Sequence, residues 1–150
     1  MPPSADNIVL DTSALICLMK AEPGAAEVEE ILRTQEKSRS VYISFMSLME
    51  VAYIFEMEQG EAAARRGIGL IKQLSVHVIE SDEELGQAAA RIKAGHRLSV
   101  ADAWVAATAE RLGATLVHKD PEFESLSMLI RLRPLPYKSG RGQKPEQEET

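Results

Sequence analysis

Four acidic residues stand where short apolar runs meet helices, and they are the part of this sequence that could do chemistry. Asp11 closes the run Ile8-Val9-Leu10 and is followed by Thr12 and Ser13. Glu50 ends Ser47-Leu48-Met49-Glu50, Asp102 ends Ser99-Val100-Ala101-Asp102, and Asp120 follows Thr115-Leu116-Val117-His118. Carboxylates brought together repel one another unless a cation lies between them. A set of oxygen ligands without His or Cys suits the hard ions Mg²⁺ or Mn²⁺ rather than zinc. Mg²⁺ prefers one or two carboxylates plus substrate phosphates, the arrangement that serves hydrolysis of a phosphodiester. Asp11, Glu50 and Asp102 are assigned to the ion. Asp120 completes the acidic set, through a second ion or by orienting the attacking water. The polar neighbours Thr12, Ser13, Ser44, Ser99 and His118 could hold the ligands or a phosphate from behind.

A plainer role competes with this one. Ser47–Glu50, Ser81–Glu84 and Ser99–Asp102 each place an acid three residues after a hydroxyl at a helix start, the capping-box pattern. As caps alone, each contributes about 1 kcal/mol. Placement in the fold decides between the two, so the elements have to be read next.

The opening run lacks alternation and reads as a central strand buried on both faces. Helices are expected at Ser13–Lys20, Ala25–Gln35, Leu48–Glu58, Glu61–Leu74, Glu83–Gly95 and Val100–Leu112, the last closed by Gly113. Residues 36–40 read as a loop. Further strands are expected at 41–43, 76–79 and 115–118, with a weak fifth at 130–132. Such alternation predicts a three-layer α/β/α sandwich around a parallel sheet of four to five strands. The helix after the second strand, the helix before the fourth, and Asp120 then all deliver their acids to the sheet edge that Asp11 occupies. Glu84, beside an outer strand, carries the same motif without the placement and serves as a control.

The sequence has 150 residues, 45% hydrophobic and 27% charged, which suits one domain. A folded unit is expected over residues 1–133, with a flexible tail over 134–150. The net charge of −6 argues against a passive nucleic-acid coat. It leaves room for an enzyme that meets phosphates through bound ions. The one cysteine, Cys17, rules out a disulfide framework and reads as a small core residue. No stretch is apolar enough for a membrane span and the start lacks signal-peptide character, so a cytoplasmic protein is expected. Trp104 reads as core packing rather than a base-stacking platform. Tyr53, Ile54, Phe55 and Met57 form an apolar stripe for core or dimer surface. Lys93, His96 and Arg97, and the tail residues Lys138, Arg141 and Lys144, could touch RNA or be solvated.

At Leu10–Ala14, Ser47–Val51, Leu98–Ala109 and Gly113–Phe123 the sequence resembles PIN domains, and specifically the VapC-type toxin ribonucleases. The resemblance runs from Val9 to about Leu132. It implies a Mg²⁺- or Mn²⁺-dependent endoribonuclease, homodimerisation, and inhibition by a cognate VapB-type antitoxin. Two positions depart from the family pattern. His118 stands where a Thr or Ser usually precedes the fourth acid, and it either bonds a phosphate or ends the strand facing solvent. Glu122 stands where a further Asp often follows; its extra methylene leaves a ligand role open. Two other functions compete: a catalytically silent PIN-like interaction module, and an Asp-nucleophile phosphatase. The phosphatase ranks lower because Ser13 stands where its second Asp belongs.

Overall fold

In the computed structural model, which describes residues 3–4, 6–34 and 40–138, the first strand β1 (Asn7–Leu10) is buried along its whole length. It is the middle of a five-stranded sheet, as its lack of alternation predicts. The chain continues through α1 (Thr12–Met19), α2 (Ala25–Thr34), β2 (Ser40–Ser44), α3 (Phe45–Gln59), α4 (Glu61–Gln73) and β3 (His77–Ile79). It returns through α5 (Glu83–Gly95), α6 (Val100–Leu112), β4 (Thr115–His118), a 3-10 helix at Pro121–Leu126, and β5 (Arg131–Pro134). The strands lie in the order β3-β2-β1-β4-β5, all parallel. Most of the expected 36–40 loop, with Arg141, Lys144 and the rest of the expected tail beyond residue 138, lies outside the described residues.

Alternate strand residues feed two cores. Ile8, Leu10, Val41, Ile43 and Val117 pack with Leu15, Ile31, Val51 and Ile71 beneath α1 to α4. On the other face Val9, Tyr42 and Leu116 pack with Leu85, Val105 and Leu112 beneath α5 and α6. This is the three-layer sandwich expected from the sequence. Cys17 is buried in the first core. Trp104 packs against the second and meets Phe45 edge-on at 5.0 Å.

Three local expectations change. α3 starts at Phe45, with Ser44 as its cap: Ser44 Oγ accepts from Met46 N at 3.1 Å. Strand β2 passes into α3 without a break, so the strand's last hydroxyl takes the cap and Ser47 falls inside the helix. α5 is capped by Asp82, whose Oδ1 accepts from Leu85 N, not by Ser81. A carboxylate one position later wins because it also forms a two-toothed pair with Arg111. Finally, the fold runs past the expected boundary at residue 133. Leu135 N donates to His118 O at 2.7 Å and the Leu135 side chain is buried in the first core. Among the described residues no helix is long and apolar enough to cross a membrane.

The α3–α4 contact depends on Gly67, where an added Cβ would stand 2.6 Å from Phe55 Cδ2. Overpacking costs about 1–3 kcal/mol and the helix gains under about 1 kcal/mol from Ala over Gly. Gly67→Ala is therefore expected to lower stability by about 1–2 kcal/mol, read as a shifted midpoint in urea unfolding.

Candidate active site

The strand order reverses direction between β1 and β4, and in open parallel sheets the crevice at such a point is where ligands bind. Here the crevice is a cleft of about 360 Å³, whose lining includes Asp11, Glu50, Asp102 and Asp120. All four acids singled out in the sequence therefore meet at one sheet edge. Glu84 stands elsewhere, on the far side of α5 and α6.

Asp11 leaves β1 in extended conformation and caps α1. Its Oδ2 accepts from Ser13 N at 3.0 Å and from Ser13 Oγ at 2.5 Å. The same Ser13 hydroxyl accepts from Lys119 N at 2.8 Å, which ties the end of β4 to Asp11. The second oxygen, Oδ1, is buried and has no hydrogen-bond partner among the described residues. Burial pushes the Asp11 carboxyl up to about 6 against the pull of both Ser13 bonds; the charges of Glu50 and Asp120 add to the rise. Thr12, beside it, donates to Glu50 Oε1 at 2.5 Å and shares a 2.9 Å hydrogen bond with Ser47 Oγ. The Glu50 carboxyl is also raised, chiefly by burial and then by Asp120.

Ser99 caps α6, its Oγ accepting from Asp102 N at 3.1 Å, and this aims Asp102 into the crevice from the first turn. Burial, then the charges of Asp11, Asp120, Glu50 and Glu122, push the Asp102 carboxyl up to about 8. Ser99→Ala should cost about 1 kcal/mol of stability, measurable by chemical denaturation. Asp120 Oδ1 accepts from Glu122 N at 3.0 Å and starts the 3-10 helix. One ligand oxygen from each of Asp102, Asp120 and Glu122 lies within 4.8 Å of the others, a group that could hold a cation. Glu122 thus joins the acidic set that the sequence left open, because the 3-10 turn folds its longer side chain back on Asp120. Asp11 and Glu50 line the same cleft as Asp102 and Asp120, close enough for their charges to act on Asp102. An acidic group this crowded, with a buried carboxylate oxygen lacking any donor, fits a hard divalent cation.

His118 does neither of the things foreseen for it. It is fully buried, with its ring 5.2 Å from Phe123 and 6.1 Å from Tyr137. Its Nδ1 accepts from Asp120 N at 3.2 Å, and burial lowers its affinity for a proton. The 3-10 helix and the segment after β5 cover it, which no local pattern announces. Ser44 is likewise spent on its cap and does not line the cleft.

The cleft is also lined by Lys20, Lys119 and Lys138, of which the sequence reading singled out only Lys138. Lys119 Nζ is buried against Glu22 Oε1 (3.2 Å), Pro23 O (2.8 Å) and Cys17 Sγ (3.8 Å). Lys138 pairs with the other oxygen of Glu22 at 3.3 Å, and Lys20 with Glu58 at 2.7 Å. Alternation along β4 carried the signal: Val117 faces the α1–α2 layer, so Lys119, two residues on, points the same way.

A doubly wound sheet with carboxylates gathered at its switch point defines an α/β protein with an acidic cleft that could hold a cation. The chain belongs to the PIN domain family, which matches residues 8–128. Among curated proteins none matches the sequence. Solved structures share the fold. VapBC2 from Rickettsia felis, bound to a promoter DNA fragment, superposes with a TM-score of 0.69 at 15% identity, covering 87% of this chain and 99% of its own. VapBC-1 from nontypeable Haemophilus influenzae gives 0.65 at 24%, over 85% and 97%. VapC20 from Mycobacterium tuberculosis, a Sarcin-Ricin loop cleaving toxin, gives 0.64 at 22%, over 85% and 99%.

Proposed function

We propose that this PIN domain is a Mg²⁺- or Mn²⁺-dependent endoribonuclease and the toxin of a toxin–antitoxin pair. The carrying observation is the meeting of Asp11, Glu50, Asp102 and Asp120 at the switch-point cleft, with Glu122 beside Asp102 and Asp120, and with Asp11 Oδ1 buried and unpartnered among the described residues. Asp11, Glu50 and Asp102 would hold the ion, with Asp120 completing the set and Glu122 as a further ligand beside it. When bound, the ion supplies positive charge to the phosphodiester oxygens that gain negative charge in the transition state. The protein's own residues prepare that place. Ser13 fixes one Asp11 oxygen and so turns the other inward. Thr12 holds Glu50, and the cap at Ser99 aims Asp102. Asp102 keeps a proton near neutral pH in the metal-free protein and gives it up on loading.

Structural neighbours that are VapBC complexes support a VapB-type antitoxin as partner. The exposed side chains of Met49, Tyr53 and Met57 on α3 and Leu70 on α4 leave apolar surface suited to that partner or to a homodimer. A cytoplasmic location accords with RNA as substrate. The test is incubation with total cellular RNA plus Mg²⁺, with and without EDTA, followed by mapping of the cleaved ends. Cleavage that EDTA leaves untouched, or no cleavage at all, would refute the enzyme reading. A silent interaction module predicts no response to metal and no change on altering Asp11.

A further inference from the structure

We infer that Tyr137 is a positioning residue for the acidic triad, acting from a C-terminal strap that follows β5. This rests on the ion-binding reading above. The strap is packed on both sides. Leu135 N donates to His118 O at 2.7 Å and Leu135 is buried. Across the strap lies Gly24, where an added Cβ would stand 3.1 Å from Pro136 Cδ and 3.2 Å from Leu135 Cβ. Lys138 then closes on Glu22 at 3.3 Å.

Between these fastenings Tyr137 reaches the triad by two routes. Its ring lies 6.1 Å from that of His118, whose Nδ1 accepts the Asp120 N–H. Its hydroxyl donates to Glu124 Oε2 at 2.8 Å, on the 3-10 helix that also carries Glu122. Asp120, which lines the cleft, and the 3-10 helix that carries Glu122 are thereby held from behind at ring and backbone. The ring acts on Asp120 through His118, and the hydroxyl acts on the 3-10 helix through Glu124. Loss of a group that orients metal ligands in this way typically weakens metal affinity by about 10- to 100-fold.

The test measures Mn²⁺ affinity of the metal-free full chain by isothermal titration calorimetry, with no RNA present. Tyr137→Ala should weaken Mn²⁺ binding about tenfold, and Tyr137→Phe, which keeps the ring on His118, should recover part of that loss. Leu85→Ala, at the distant start of α5, should lower the melting temperature without moving Mn²⁺ affinity. An affinity equal to wild type in both Tyr137 variants overturns the inference. If Tyr137→Ala does not fold, Tyr137→Phe decides alone: binding weaker than wild type supports the strap's role, and binding equal to it overturns it. Should the wild-type chain itself bind no Mn²⁺, the fault lies with the ion-binding reading and not with the strap alone.

Discussion

Asp11→Asn is expected to reduce RNA cleavage by about a hundred- to a thousandfold, the order seen when one group that acts on transition-state charge is removed. The same substitution should raise the melting temperature of the metal-free protein. Asn caps a helix as well as Asp does, so α1 keeps its start. What disappears is a buried negative charge whose second oxygen has no partner among the described residues. The rise of that carboxyl from 3.8 to about 6 corresponds to roughly 3 kcal/mol at 1.36 kcal/mol per unit. For a domain of this size that is about 6–12 °C. Calorimetry in EDTA at pH 8, beside an RNA cleavage assay, checks both halves. A variant that still cuts RNA and melts lower than wild type would reduce Asp11 to a helix cap.

A second large effect concerns pH and metal together. Asp11, Glu50 and Asp102 all hold protons more tightly folded than unfolded. The unfolded chain releases these protons near pH 4, while the folded one retains them until about 6 and about 8 for Asp11 and Asp102. Stability of the metal-free protein therefore falls as pH rises from about 4 to about 8, and levels off beyond. Below pH 4 the opposite trend takes over. Arg111 and the backbone of Leu85 hold the Asp82 carboxyl down to about 2, and that contribution is lost as acid titrates it. Added Mn²⁺ should reverse the alkaline loss, because it binds the deprotonated set. At a hundred times its dissociation constant it contributes about 2.7 kcal/mol, or about 5–11 °C at pH 8. The gain should shrink markedly at pH 5.5. An equal shift at both pH values, or none at pH 8, would count against a carboxylate-held ion.

Much of the framework can be read from short stretches. Ile8-Val9-Leu10 shows its burial through the absence of alternation, and Gly113 marks the end of α6 by taking φ 59°. The helix order then suffices to bring Asp11, Glu50, Asp102 and Asp120 to one edge. Where the reading failed, the deciding contact was remote in sequence. Ser44 and Ser47 are equally good caps locally; Ser47 is claimed by Thr12, which no pattern around residue 47 reveals. His118 was judged as a strand end, yet Phe123 and Tyr137 close over it. Pro134 and Pro136 suggested a tail, but a buried Leu135 between them fastens the segment to β4. Lys119 was passed over because a lysine is assumed to seek water, and here Glu22 and a carbonyl replace it.

The strand order carries a consequence for how the molecule comes into being. Of the five strands the middle one comes first in chain order, while its neighbour β4 comes fourth. A nascent chain stopped before α6 has one side of β1 bare and possesses neither Asp102 nor Asp120. Long-range parallel pairing of this kind is slow to form. The acidic cluster therefore cannot assemble until α6 and β4 have both been made, and a chain stopped short of them carries only part of the candidate site.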